Sequence, residues 1–234
     1  MAKSGQRLTC ANVHALFSPV RMLIISGCSF FISAGRLDLP RGWLYYALAL
    51  SLSLGGGLFL LWRSPGLLTA RGEMGEDTDS RDKVVLLLFF AANLVLLPAV
   101  AGFDAGRFNR PLLPGFYIYA GVVFYLIASA TVFWAMLKNP FFEGTVRLQE
   151  DRGQVVVSSG PYRYIRHPGY LGMAMNTLPL PLIAGSGAAM VPALLAIAII
   201  VLRTALEDRF LLEQLPGYRD YSRKVRYRLL PLIW

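Results

Sequence analysis

Residues 84–103 read VVLLLFFAANLVLLPAVAGF, twenty residues without a formal charge between Lys83 and Asp104. A bilayer's hydrocarbon core is about 30 Å thick and takes roughly 20 helical residues to cross. This run meets that requirement alone, and two neighbours repeat it. Residues 42–62, between Arg41 and Arg63, are uncharged, and so are those between Arg110 and Lys138. Apolar residues make up 55% of the 234-residue chain and charged ones 16%, where soluble domains carry about 25% charged residues. Several bilayer-length blocks exclude a soluble core and predict an all-α integral membrane protein.

Two further regions complete the expected set of about six transmembrane segments. Residues 8–35 carry one charge, Arg21, and predict a first helix from about Phe17 to Gly35. The uncharged stretch from Pro168 to Leu202 is split by Gly185-Ser186-Gly187 into arms of 17 and 15 residues. It reads as a tight hairpin whose second helix continues past Arg203. Beyond it lies a cytosolic amphipathic tail. Gly and Ser in the mixed-sign loop 64–82, with Glu73, Glu76, Asp77, Asp79 and Asp82, read as an exposed turn region. No internal repeat is visible, so residues 1–234 form one membrane domain. Within it, 1–137 supply the N-terminal helices and 138–234 a cofactor-binding core.

The net charge of +9 could suggest nucleic acid, but its distribution does not. With both termini inside, nineteen of the 23 basic residues fall on the cytosolic side, among them Lys3, Arg7, Arg63, Arg71, Arg81, Lys138 and Arg166. Only Arg36, Arg41, Arg107 and Arg110 fall outside. This is the positive-inside asymmetry of a membrane protein, as in a bacterial-type inner membrane. A cleavable signal peptide is not expected, because Arg21 interrupts the first apolar run and no small-residue cleavage site follows. Cys10 and Cys28 fit no metal or redox spacing, and no metal site is expected.

The residues that could carry chemistry follow the fourth block. Gln154, Val155, Val156 and Val157 form a short β-prone run, and Ser158-Ser159-Gly160-Pro161 a turn. In Arg166-His167-Pro168-Gly169-Tyr170 the proline suits the first position of a helix. His167 then stands at the lip, where free N–H groups and the helix dipole favour an anion. Arg203 and Glu207, four apart, share one face where the last helix leaves the apolar run. The hairpin should bring His167, Tyr170, Arg203 and Glu207 together. Two plainer readings stand beside this one. Arg203 and Glu207 could form only an i,i+4 ion pair, and the tyrosines from Tyr162 to Tyr227 only an interfacial belt.

The stretches GPYRYIRHPGYLG and RTALEDRFLLEQLPGYRDYSRKVRYRLLP resemble the isoprenylcysteine carboxyl methyltransferase family and its bacterial relatives. The wider group includes membrane phospholipid methyltransferases. The resemblance covers residues 138–234 and implies a membrane methyltransferase using S-adenosylmethionine on a lipidic or prenylated substrate from the bilayer. By motif it implies cofactor contacts at Gln154, Val155, Val156, Val157, Tyr162, His167, Pro168, Gly169, Tyr170 and Glu207, with Gln149 a further candidate. Arg203 matches a substrate-side arginine and is the candidate catalytic residue, orienting an acceptor carboxylate through two hydrogen bonds. Aspartate at 208 departs from the family's run of glutamates. That puts the role of Asp208 in doubt; if it merely faces water, asparagine there should matter much less than a change at Glu207. An NADPH-dependent membrane sterol-type reductase, with a similar tail, and a phospholipid N-methyltransferase are the competing readings.

Overall fold

Helix ends follow the charges in this computed structural model, which describes residues 10–63, 66, 80–108 and 113–234. Lys3, Arg7, Arg110 and the loop residues Arg71, Glu73, Glu76, Asp77 and Asp79 lie outside the described residues. Helix α1 spans Cys10–Ala34, already helical ahead of the expected Phe17, and α2 spans Pro40–Arg63. The third helix, α3, is continuous through Ser80–Phe90, a π-helical turn Ala91–Leu96, and Leu97–Gly106. Helix α4 spans Phe116–Lys138. After an irregular segment come two short helices, α5 (Pro168–Met175) and α6 (Pro179–Ala184), then α7 (Met190–Gln214) and α8 (Tyr218–Lys224). Among the described residues there is no strand, so Gln154–Val157 is irregular backbone and no β-structure forms there.

Five helices are long and apolar enough to cross a bilayer: α1, α2, α3, α4 and α7. The expected sixth, the first arm of the hairpin, is broken instead. Pro179 and Pro181 lack the N–H groups that would continue α5, and the chain turns at Asn176–Leu178 before α6 starts. The hairpin turn itself lies at the anticipated glycines, with Gly185 left-handed at φ +81°. Its serine is fastened to α3, for Ser186 Oγ donates to buried Asp104 at 2.6 Å.

Small residues set the helix contacts. A Cβ on Gly102 would lie 2.1 Å from the Phe30 carbonyl oxygen, and one on Gly106 would lie 2.4 Å from that of Ala34. Glycines four apart therefore let α3 touch the α1 backbone, the close-packing device of membrane helices. The π-turn precedes Pro98, whose missing N–H a wider turn absorbs. There the Val95 carbonyl accepts from Ser29 of α1 at 2.8 Å. Large apolar side chains face outward, including Ile32, Trp62, Leu87, Tyr119 and Val191, as expected of lipid-facing helices.

The C-terminal segment is not a free amphipathic tail. Arg166 N and His167 N donate to the carbonyls of Tyr227 and Arg228, both at 2.9 Å. Leu215, Tyr218 and Tyr221 are buried in an apolar cluster. The tail is thereby part of the wall around residues 160–170.

Candidate functional site

The lip of α5 is built from its own sequence. Gly160 turns at φ +60°, where a Cβ would meet Lys138 Cγ at 2.5 Å, and a 3-10 turn over Gly160–Arg163 follows. His167 then takes the N-cap position with Pro168 at the start of the helix, as the sequence predicts. Its side chain does not remain open at the lip, however. His167 Nε2 lies 3.0 Å from Asp208 Oδ1 and the ring is buried. A carboxylate there accepts, so Nε2 carries the proton.

Asp208 is the largest departure from expectation. Far from facing water, it is 0% exposed. Arg166 grips it with two prongs, Nε to Oδ1 at 2.8 Å and Nη2 to Oδ2 at 2.9 Å. The Tyr218 hydroxyl donates to Oδ1 at 2.9 Å and Arg228 Nε to Oδ2 at 2.8 Å. One carboxylate thus joins the α5 lip, α7, α8 and the tail. Burial pushes the Tyr218 phenol well above its ordinary range, and the Asp208 charge adds to the shift. Burial does the same to Tyr162 and Tyr221. These hydroxyls are fixed donors or acceptors at neutral pH. Tyr221 donates to the Tyr162 carbonyl at 2.7 Å, and Tyr162 accepts from Asn139 at 3.2 Å.

Arg203 and Glu207 share a helix face but do not pair. Buried Asp82, on the first turn of α3 and not in an exposed loop, takes the fork of Arg203 at 2.7 and 3.0 Å. The same carboxylate accepts from Val146 N, and Arg203 Nη2 also donates to the Gly144 carbonyl at 2.7 Å. The two-pronged contact expected for an acceptor is therefore occupied inside the protein. Nη1 has no hydrogen-bond partner among the described residues. The guanidinium carbon lies 5.2 Å from the centre of the Tyr170 ring. The Tyr170 hydroxyl donates to Glu207, whose side chain keeps 23% exposure, and His167 Nδ1 lies 3.9 Å from Glu207 Oε1.

These groups open onto a cavity of about 810 Å³. Of the sequence-predicted residues, Gln149, Gln154, Val155, Val156, Val157, Tyr162, His167, Gly169, Tyr170, Arg203 and Glu207 line it. Pro168 does not; it is buried in the helix start behind the lip. Gln149 and Gln154 brace the segment, Gln154 Oε1 accepting from Gln149 N at 2.8 Å and Gln149 Nε2 donating to the Phe141 carbonyl at 2.9 Å. Sequence reading missed Asp82, Arg166, Asn139, Tyr218 and Arg228. For Asp82 a signal existed, since an acid opening one apolar run and an arginine closing another stand at similar depth.

Among the described residues no cluster of His, Cys, Asp and Glu could hold a metal ion. In comparison with known families, residues 116–216 match the phospholipid methyltransferase family. No curated protein matches the chain.

Proposed function

We propose that the chain is a membrane methyltransferase of the kind that the match of residues 116–216 points to, and that it uses S-adenosylmethionine to methylate a carboxylate on a lipidic or prenylated acceptor from the bilayer. Glu207 is the observation that carries the reading. Of the adjacent acids on α7, Asp208 is sealed, while Glu207 stands partly open on the cavity wall. Held by the Tyr170 hydroxyl, it offers a fixed anion to the donor's ammonium. The Tyr170 ring offers a π-face suited to a sulfonium, and the first-turn N–H groups of α5, at Gly169 and Tyr170, suit a carboxylate. Gln154, Val155, Val156, Val157 and Tyr162 supply further wall for the donor. S-adenosylmethionine would supply an electrophilic methyl group.

The rest of the site is positioning. His167, locked to Asp208 through Nε2, fixes the lip from which Gly169 and Tyr170 project and itself lines the cavity. Arg203 can meet an acceptor only through Nη1, because Asp82 and Gly144 hold its other donors. Acceptor chemistry follows from the acids. Asp82, Glu143, Glu207 and Asp208 each already accept from a side-chain donor. None is a free base for an ammonium acceptor. A carboxylate acceptor, titrating near ~4, is ionised at neutral pH and needs none. The description of the matched family favours a second reading, methylation of a phospholipid amine.

The basic-residue asymmetry supports an orientation with both termini and the cavity's polar end at the cytosol of an inner membrane. The deciding experiment is calorimetric titration of the purified chain with S-adenosylmethionine and, separately, NADPH. We expect only the former to bind, with Glu207→Gln losing about 1.5–3 kcal/mol, the range for a hydrogen bond to a charged group. Binding of NADPH instead, or full donor affinity in Glu207→Gln, would overturn the reading. Transfer assays with phosphatidylethanolamine against a farnesylated carboxylate separate the two acceptors.

A further inference from the structure

The cavity reaches beyond the groups above to the face of α1, where the charge is unbalanced. Arg21 and His14 both line it. They are seven residues apart, two helical turns, and so lie on one face. Arg21 Nη2 donates to His14 Nε2 at 3.0 Å. A guanidinium has only donors, so Nε2 accepts this bond. Among the described residues that is the only hydrogen bond of Arg21, and no carboxylate pairs with it. The cavity's own acids are engaged elsewhere, Glu143 with Arg147 and Arg152, and Glu207 with Tyr170.

Arg21 is also deep. Thirteen residues of helix, about 20 Å, separate it from the end of α1 at Ala34, which places it within a bilayer core about 30 Å thick. An ionised side chain at membrane depth is retained where it serves a pathway or a ligand. The same cavity is lined by apolar side chains of three helices, Met22 and Ile25 of α1, Leu52 and Leu60 of α2, and Leu86 and Phe90 of α3. A cation with no carboxylate partner among the described residues, in a cavity with much apolar lining, suits an amphiphile with an anionic head. We propose that Arg21, held by His14, is a subsite for the phosphate or carboxylate head of a chain-bearing lipid, separate from the groups around Glu207. Only the further step, that this lipid is the methyl acceptor, rests on the function proposed above.

The test needs no methyl donor. The purified full chain in neutral detergent is titrated with dioleoylphosphatidic acid, oleate, dioleoylglycerol and inorganic phosphate, with binding followed by native mass spectrometry and thermal shift. Phosphatidic acid and oleate should bind wild type about tenfold more tightly than Arg21→Gln, the loss of one charged hydrogen bond. Dioleoylglycerol, which has the chains without the anion, should bind both alike, and phosphate alone should bind neither. Arg223→Gln, an exposed cation on α8, controls for attraction to a basic protein and should leave the affinities unchanged. Arg21→Lys keeps the charge and should keep most of the binding, a second variant should Arg21→Gln fail to fold. Equal affinity in wild type and Arg21→Gln would overturn the subsite, as would equal loss in Arg223→Gln. Phosphate binding as tightly as phosphatidic acid would overturn its assignment to a lipid. S-adenosylmethionine binding at Glu207 is read in its own titration, so failure of either proposal is visible without the other.

Discussion

Replacing Asp208 by asparagine changes one atom and should unfasten four elements. The carboxylate accepts five hydrogen bonds, two from Arg166 and one each from His167, Tyr218 and Arg228, at 2.8–3.0 Å. Asparagine keeps one oxygen and points an NH₂ group at donors on the other side. If the NH₂ stands at Oδ2, it meets Arg166 Nη2 and Arg228 Nε; if at Oδ1, it meets Arg166 Nε, His167 Nε2 and the Tyr218 hydroxyl. Either way Arg166, with 7% side-chain exposure, keeps a charge with no counter-ion. Breaking a buried pair from one side costs about 3–5 kcal/mol, because the desolvated partner is left behind. At ~2–4 °C per kcal/mol for a chain of this size, the midpoint should fall by roughly 6–20 °C. Differential scanning fluorimetry in detergent reads this directly, with exposed Asp220→Asn as the control. Donor affinity should fall as well, because the α5 lip is held by the same carboxylate. A melting midpoint within about 2 °C of wild type would refute the hub and return Asp208 to the water-facing role expected from sequence.

The remaining predictions bear on other contacts. Arg203→Lys keeps the charge but loses the planar fork that Asp82 and Gly144 fill. It should lower stability by about 1–3 kcal/mol, and in a double-mutant cycle with Asp82→Asn the two losses should be non-additive; simple additivity in thermal melts would dissolve the pair. Gly102→Val sets a side chain where the Phe30 carbonyl lies 2.1 Å away, so α1 and α3 must part. A loss of about 1–3 kcal/mol is expected, and an unchanged melting midpoint would count against the packing. Reporter fusions after Trp234 should read cytosolic and those in the loop near Arg107 external; the reverse pattern would invert the bundle.

Sequence alone determined the membrane class and most of the helix inventory, because both depend on local quantities. Uncharged runs of bilayer length can satisfy their backbone in lipid only as helices, and Arg63, Lys83 and Lys138 mark where such runs stop. Pro168 and Gly185 likewise act through their own backbone, and both the helix start and the hairpin turn lie where the sequence put them. Partner choice was beyond its reach. Arg203 had Glu207 four residues away and took Asp82, 121 positions distant, because α3 brings a carboxylate to the same depth and a fork prefers a planar, two-pronged match. Glu207 and Asp208 are adjacent and chemically alike, yet α7 turns one to the cavity and the other into a cage of cations. A helix rotates about 100° per residue, so neighbours face different surroundings, and only packing decides what those are. The broken first arm has the same origin. Apolar composition made residues 168–184 eligible to span, and the prolines together with close contact to α4, where a Cβ on Gly172 would lie 2.9 Å from the Ala128 carbonyl oxygen, made them two short helices instead.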